Sequence, residues 1–203
     1  LSDAWTGNTA YVAVFDATTD LEIETNANAD DDVMGIPLTG INPNGISSAN
    51  EQVYVTTRNV YSDFDLSLSR IEEINTESYA VRTVISADQL NENVSAFFTN
   101  SVIVSAEKGY LVASKALFEP SYHEVSNLIE FDPTTGVITA ENLVNTGSEN
   151  IKSIALDEAN FLWLSISDPE NSGIDVINTE TNTLEFPRLT TELNPGAIVF
   201  IEE

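Results

Sequence analysis

Four times along the chain an alternating run of apolar residues meets an Asp or Asn, passes through a Thr- or Ser-bearing polar stretch, and resumes alternating. The copies are Val12-Ala13-Val14-Phe15-Asp16-Ala17-Thr18-Thr19, Ile71-Glu72-Glu73-Ile74-Asn75-Thr76-Glu77-Ser78, Leu128-Ile129-Glu130-Phe131-Asp132-Pro133-Thr134-Thr135 and Ile174-Asp175-Val176-Ile177-Asn178-Thr179-Glu180-Thr181. Their Asp or Asn residues stand at 16, 75, 132 and 178, that is 59, 57 and 46 residues apart. Period-two alternation predicts strands with successive side chains on opposite faces. An Asp or Asn can accept hydrogen bonds from the backbone two residues on, which starts a turn. Each copy therefore predicts a hairpin, with Leu21, Val81, Val137 and Leu184 opening the return strand.

A second pair of strands precedes each later hairpin. The first of the pair is rich in small and apolar residues: Gly45–Ala49, Ser101–Ser105, Ile151–Leu156 and, last, Ala197–Ile201. The second reads Val53–Thr57, Tyr110–Ser114 and Phe161–Ser165, after tight polar links such as Ala106-Glu107-Lys108-Gly109. Each unit then has four antiparallel strands, a to d in chain order. Four-stranded units repeating at this period predict an all-β fold, a β-propeller of about four blades in a single domain, 1–203. Blade hairpins fall near 10–26, 45–86, 101–140 and 151–187, and the first unit lacks strand a and most of b. A closing strand at 197–201 is expected to sit inside the N-terminal hairpin. Two readings follow: a compact four-bladed ring with an incomplete blade, or half of a seven- or eight-bladed propeller. The chain begins at Leu1 rather than Met, which fits a processed product or a piece of something longer.

Tyr54-Val55-Thr56-Thr57 resembles the signature tetrad of the YVTN-type bacterial propeller repeats, with Thr57 where that family has Asn. Asn194-Pro195-Gly196-Ala197-Ile198 is similar to the start of that family's inner strand, and Ile174–Leu184 to its third and fourth strands. The long b–c loops, and Ser114 and Ser165 in place of the signature Asn, depart from the pattern. The resemblance implies a propeller of the kind found in surface-layer and periplasmic proteins, hence a secreted, periplasmic or cell-surface location. It implies little about function, which resides in sites rather than folds.

Charge narrows the partners. With 33 acids against 7 bases the net charge is −26. Phosphate neutralisation needs clustered Lys and Arg, so nucleic acid and anionic membranes are poor partners. No apolar stretch is long enough to cross a bilayer, and the absence of Cys excludes disulfides and thiolate chemistry.

In a propeller the b–c loops share a face with the connections between blades. Two are long here, Arg58 to Ser69 and Lys115 to Asn127. They carry Arg58, Tyr61, Phe64, Lys115, Phe118, Tyr122 and His123, and Trp5 maps to the same face. Long loops on a rigid frame and exposed aromatics are common elements of binding surfaces. Arg58 and Lys115 stand at equivalent positions after strand b, which suits either a small anion pocket or pairing with neighbouring carboxylates. His123, the only His, has neither partners for a His-based metal site nor a triad beside it. Asp30, Asp31 and Asp32, and Asp63 with Asp65, could hold Ca²⁺ through oxygen ligands, though neither run matches an EF-hand loop. No other cofactor is indicated.

These features together predict a non-enzymatic binding or scaffold propeller acting outside the cytoplasm, which recognises a protein or glycan partner through its b–c loop face. The alternatives are a lactonase-like hydrolase, and a structural subunit held to the remainder of a larger propeller or to a surface assembly.

Overall fold

The computed structural model describes residues 9–25, 33–59, 65–90, 96–145 and 150–200. The first sheet is small: β1 (Tyr11–Val12) pairs antiparallel with β2 (Ile36–Pro37), and a bridge joins Phe15 to Glu22. The second sheet runs in the order β3 (Pro43–Ala49), β4 (Gln52–Thr57), β5 (Arg70–Asn75), β6 (Val81–Ser86). The third runs β7 (Phe97–Ser105), β8 (Lys108–Leu117), β9 (His123–Phe131), β10 (Ile138–Asn145). The fourth runs β11 (Asn150–Leu156), β12 (Phe161–Ser167), β13 (Gly173–Asn178), and its outer strand is split into β14 (Thr183–Leu184) and β15 (Leu189–Thr190), both on β13. Strand order equals chain order in each sheet, as the repeat predicts.

The four turns are copies at the level of single atoms. Asp16 Oδ1 accepts from the amides of Thr18 and Thr19, at 2.7 and 3.0 Å. Asn75 Oδ1 does so from Glu77 and Ser78, Asp132 Oδ1 from Thr134 and Thr135, and Asn178 Oδ1 from Glu180 and Thr181. The residue four positions on has a positive φ each time: Asp20 (57°), Tyr79 (57°), Gly136 (71°), Asn182 (58°). Its amide donates back to the carbonyl of the residue that opens the turn, at 2.8–2.9 Å. The backbone bonds hold the Asp16 and Asp132 carboxyls below their ordinary pKa.

The hydrophobic core is three layers, each shared by consecutive sheets. Alternation along β8 shows why. Tyr110 and Val112 face the fourth sheet, in a cluster with Leu128, Ile154, Leu162 and Leu164. Leu111 and Ala113 face the second, with Tyr54, Ile71, Ile85 and Phe98. All four of these β8 side chains are fully buried. Likewise Tyr54 points to the third sheet, while Val55 and Ile74 point to the first, beside Ile36 and Leu38. The inner strands β3, β7 and β11 touch in succession. Sheets packed face to face around adjoining first strands make this a β-propeller, with three complete blades and a two-stranded partial one among the described residues.

Two expectations are corrected. The first is the loop from Lys115 to Asn127. It is mostly strand: β8 continues to Leu117 and β9 starts at His123, with Lys115 opposite Val125 and Leu117 opposite His123. The polar side chains of this stretch hid an alternation whose outer end no longer needs to be apolar. The second is the closing strand at 197–201. Among the described residues Ala197–Phe200 is not a strand and pairs with neither strand of the first sheet. Instead the Ile198 amide donates to Ser153 Oγ on β11, and the Phe200 ring meets Trp163 on β12 edge-on at 5.8 Å. The indole of Trp163 gives the tail an apolar contact that needs no strand pairing.

Gly136 tests the inter-blade packing. A Cβ there would lie 2.1 Å from the Val84 carbonyl oxygen on β6, and the residue's φ is +71°. The left-handed conformation alone costs a non-glycine residue roughly 1–2 kcal/mol. Gly136→Ala is therefore expected to destabilise the fold by more than about 2 kcal/mol in urea denaturation, with the midpoint shifted and the slope unchanged.

Candidate functional site

The face carrying the b–c connections is built around one carboxylate. Arg58, the residue after β4, donates from its amide to the Asn42 carbonyl at 3.1 Å, and Asn59 donates to Ile41 at 3.2 Å. These bonds extend the β3–β4 pairing and fix the start of the loop. The Arg58 guanidinium then reaches the third sheet. Its Nη2 lies 2.5 Å from Glu124 Oε1 on β9, and its centre 4.2 Å from the centroid of the Phe97 ring on β7. Glu124 accepts two further bonds, from the Tyr122 hydroxyl at 2.8 Å and from Asn150 Nδ2, on β11, at 3.1 Å. One carboxylate thus joins the second, third and fourth sheets.

The network continues inward through hydroxyls. Ser126 donates to Asn150 Oδ1 at 2.8 Å and is 2.9 Å from Ser114, which is 3.3 Å from Thr99. Thr56 and Ser101 link the second and third sheets at 2.6 Å. Burial pushes the Glu124 pKa up. The Tyr122 hydrogen bond, the Arg58 charge and the Asn150 amide outweigh that effect and hold it below its ordinary value of 4.5.

At the outer end of the β8–β9 hairpin, Phe118 and Tyr122 stand with ring centroids 5.7 Å apart and planes tilted by 59°. Phe118 is 71% exposed and Tyr122 54%. His123 donates from Nδ1 to the Ser121 carbonyl at 2.8 Å. Lys115 is exposed on the same hairpin. The register corrects the expected equivalence of the two cations: Tyr54 opposite Glu73 matches Tyr110 opposite Glu130, so Ser114 and not Lys115 stands where Arg58 does, and Arg58 alone of the two is seen matched to a carboxylate among the described residues.

Asp65 spends its carboxylate locally. Oδ1 accepts from the Ser67 amide at 3.0 Å and hydroxyl at 2.5 Å, capping the 3₁₀ turn Leu66–Leu68. Asp30, Asp31, Asp32, Asp63, Trp5, Tyr61 and Phe64 lie outside the described residues. Among the described residues no cluster of three or more acidic or His side chains is arranged to hold a metal ion.

Residue patterning did not single out Glu124 and Asn150. Each is one polar residue at the first turn of a strand, and only the register between neighbouring sheets shows that they meet. A cleft of about 670 Å³ at the inner edge of the sheets, lined by Asn44, Asn100, Lys152, Ser167 and Asn194 among others, was missed too. A signal for it did exist. Asn44, Asn100 and Lys152 each stand one residue before a small residue of an inner strand, namely Gly45, Ser101 and Ser153.

No protein-family model and no curated protein matches the chain. Solved structures do. The extracellular domain of B. thetaiotaomicron BT4673, described as a one-component system, aligns over 93% of this chain and 22% of that one, with a TM-score of 0.53 and 14% identity. The GH43 protein BlXynB of Bacillus licheniformis aligns over 75% of this chain and 32% of that one, with a TM-score of 0.50 and 15% identity. The chain therefore spans about a fifth and a third of these proteins. At such identities the likeness shows the fold, a propeller-like all-β architecture. Among the described residues no helix is long and apolar enough to cross a membrane.

The Glu124 network has a pH signature. A carboxyl whose pKa is lower folded than unfolded stabilises the fold fully above its unfolded value, here about 4.5, and loses that contribution as pH falls through the folded value. Glu124→Gln should cost about 1–2 kcal/mol at neutral pH. The gap between variant and wild type should narrow as pH drops below 4.5. Denaturation midpoints of the two proteins across that range check this, and taking their difference cancels the relief of general charge repulsion.

Proposed function

We propose that this propeller is a recognition module working outside the cytoplasm, which engages a protein or glycan partner with the face formed by the b–c connections. The exposed ring pair Phe118–Tyr122 carries the reading. The two rings stand at the end of a hairpin whose strands are longer than their counterparts in the second and fourth sheets, and the Tyr122 hydroxyl is tied to Glu124, so this ring is oriented before any partner arrives. Rigid aromatic surface loses little entropy on binding, and such residues dominate interface energetics. The Arg58–Glu124 pair beside them is internally neutralised and bonded to two further side chains. That arrangement suits a fixed polar rim around an aromatic anchor better than a free nucleophile or base. The likeness to a domain described as extracellular supports the setting.

The test compares the wild type with Phe118→Ala/Tyr122→Ala on a glycan array and against immobilised cell-surface extract from the source organism. The wild type is expected to give partner signals that the double variant loses by about tenfold or more, with the fold kept and the thermal transition lowered by no more than about 2–4 °C for the lost Tyr122–Glu124 bond. Equal binding by the two proteins would remove this face from recognition.

A further inference from the structure

The cleft at the inner edge of the blades is chemically distinct from the rest of the protein. Its walls come from residues in the first half of three successive inner strands and from the segment that follows β15. Asn44 precedes Gly45 on β3, Asn100 precedes Ser101 on β7, and Lys152 precedes Ser153 on β11. Because the blades are repeats around a shared centre, their inner strands converge there: Gly45, Asn100 and Ser153 are register equivalents, opposite Thr56, Val112 and Ser165, and Asn44 and Lys152 precede two of them. Ser167 at the end of β12, Asn194 and Gly196 complete the lining. A Cβ on Gly196 would meet nothing within 4 Å, so the opening is not closed from that side.

Among the described residues none that lines this cleft is acidic, in a protein with 33 acids. Of the other six bases, Lys115 stands exposed on the β8–β9 hairpin and the remaining five have partners. Arg58 pairs with Glu124, Arg82 with Glu73, Lys108 with Glu130 and Arg188 with Asp175, while Arg70 bonds a carbonyl and a hydroxyl. Lys152 has no carboxylate partner among the described residues, and it lines the cleft. An ammonium beside amide and hydroxyl groups, with no anion of the described residues paired to it, is complementary to a ligand that brings a carboxylate and several hydroxyls. The amides supply both donors and acceptors for hydroxyl groups. A volume of about 670 Å³ falls within the roughly 300–1,000 Å³ of small-ligand sites.

We infer that the cleft binds a sugar acid, with Lys152 holding the carboxylate and Asn100 and Asn194 the ring hydroxyls. The site is separate from the Phe118–Tyr122 pair and does not depend on the role proposed for it.

Isothermal titration of the full chain with galacturonate and glucuronate oligosaccharides, against neutral galactose and glucose oligomers of equal length, is the direct experiment. Saturable binding of at least one uronate series is expected, with the neutral series at least tenfold weaker. Lys152→Gln should lower uronate affinity by about tenfold, the size of one charge-assisted hydrogen bond, and Lys152→Arg should restore most of it. Phe118→Ala/Tyr122→Ala should bind uronate like the wild type. Amide shift mapping on the wild-type protein is a second readout that needs no variant. The perturbed signals should include Asn100, Lys152, Ser153 and Gly196 rather than Phe118–Tyr122. Failure of every uronate to bind, equal affinity for neutral oligomers, an unaffected Lys152→Gln variant, or shifts confined to the aromatic hairpin would each overturn the inference.

Discussion

The structure depends on sheets that are apolar on both faces. A strand such as β8, with Tyr110, Leu111, Val112 and Ala113 all fully buried, cannot sit at a surface. Burying a Leu or Val side chain is worth about 1.5–3 kcal/mol, and alternation sends half of that gain to each neighbouring sheet. Every internal blade therefore needs two partners, and a radial stack is the arrangement that supplies them from one repeated unit. The hairpin turns keep the blades in step. Gly136 approaches the β6 backbone so closely that no side chain fits. Arg82 of β6 reaches the Pro133 carbonyl of the next blade's turn at 2.9 Å. The following pair of blades repeats the contact with different residues: the Tyr110 hydroxyl donates to Asn182 Oδ1 at 2.6 Å, and Lys108 Nζ donates to the Thr179 carbonyl.

Scarce positive charge is placed where sheets meet. Arg58 joins the second sheet to the third, Arg82 binds Glu73 and the next blade's turn, and Lys108 lies between Glu130 and the fourth blade's turn. Burial pushes Glu130 up, while its bonds from Thr139, Asn182 and Lys108 hold it below the ordinary carboxylate value. The same surroundings act in reverse on Tyr110, whose phenol is driven well above its usual range by burial and by the Glu130 charge. With a net charge of −26 the compact state is self-repelling. Cations set across blade junctions oppose that repulsion at the contacts where the sheets would otherwise part.

The turns were the most legible part of the fold. An Asp or Asn after an alternating apolar run has one local consequence, two backbone bonds to its side chain, and all four copies make them. Strand order followed from it. The ends of strands were less legible, because alternation loses its apolar signal where a hairpin leaves the core, as at Lys115–Leu117 and His123–Val125. The candidate site was half visible. Phe118, Tyr122 and Arg58 stand out as aromatic or basic residues in a polar stretch. Glu124 does not, being one acid among 33 whose importance comes from its reach to three sheets. Nor could the sequence decide where residues 197–200 go, since an apolar segment of small residues fits any inner-strand position and the choice rests on which sheet face is available.

That choice bears on how the blades continue to satisfy their own constraint. On the second sheet Ile46 lies opposite Val55, on the face turned toward the first sheet, and is 66% exposed. Among the described residues the first sheet supplies no inner strand to cover it. On the fourth sheet the opposite situation holds. Trp163 and Ser153 lie on the face turned away from the third sheet, and the tail meets both, through Phe200 and the Ile198 amide. The tail touches strands b and a of the preceding blade, as β7 touches β4 and β3 and as β11 touches β8 and β7. Without strand hydrogen bonds, Ala197–Phe200 thus occupies the place an inner strand takes in this repeat. Face-to-face packing and backbone pairing are therefore separable in this fold, with the apolar face setting where a segment lies and pairing following only where a second strand is present to receive it.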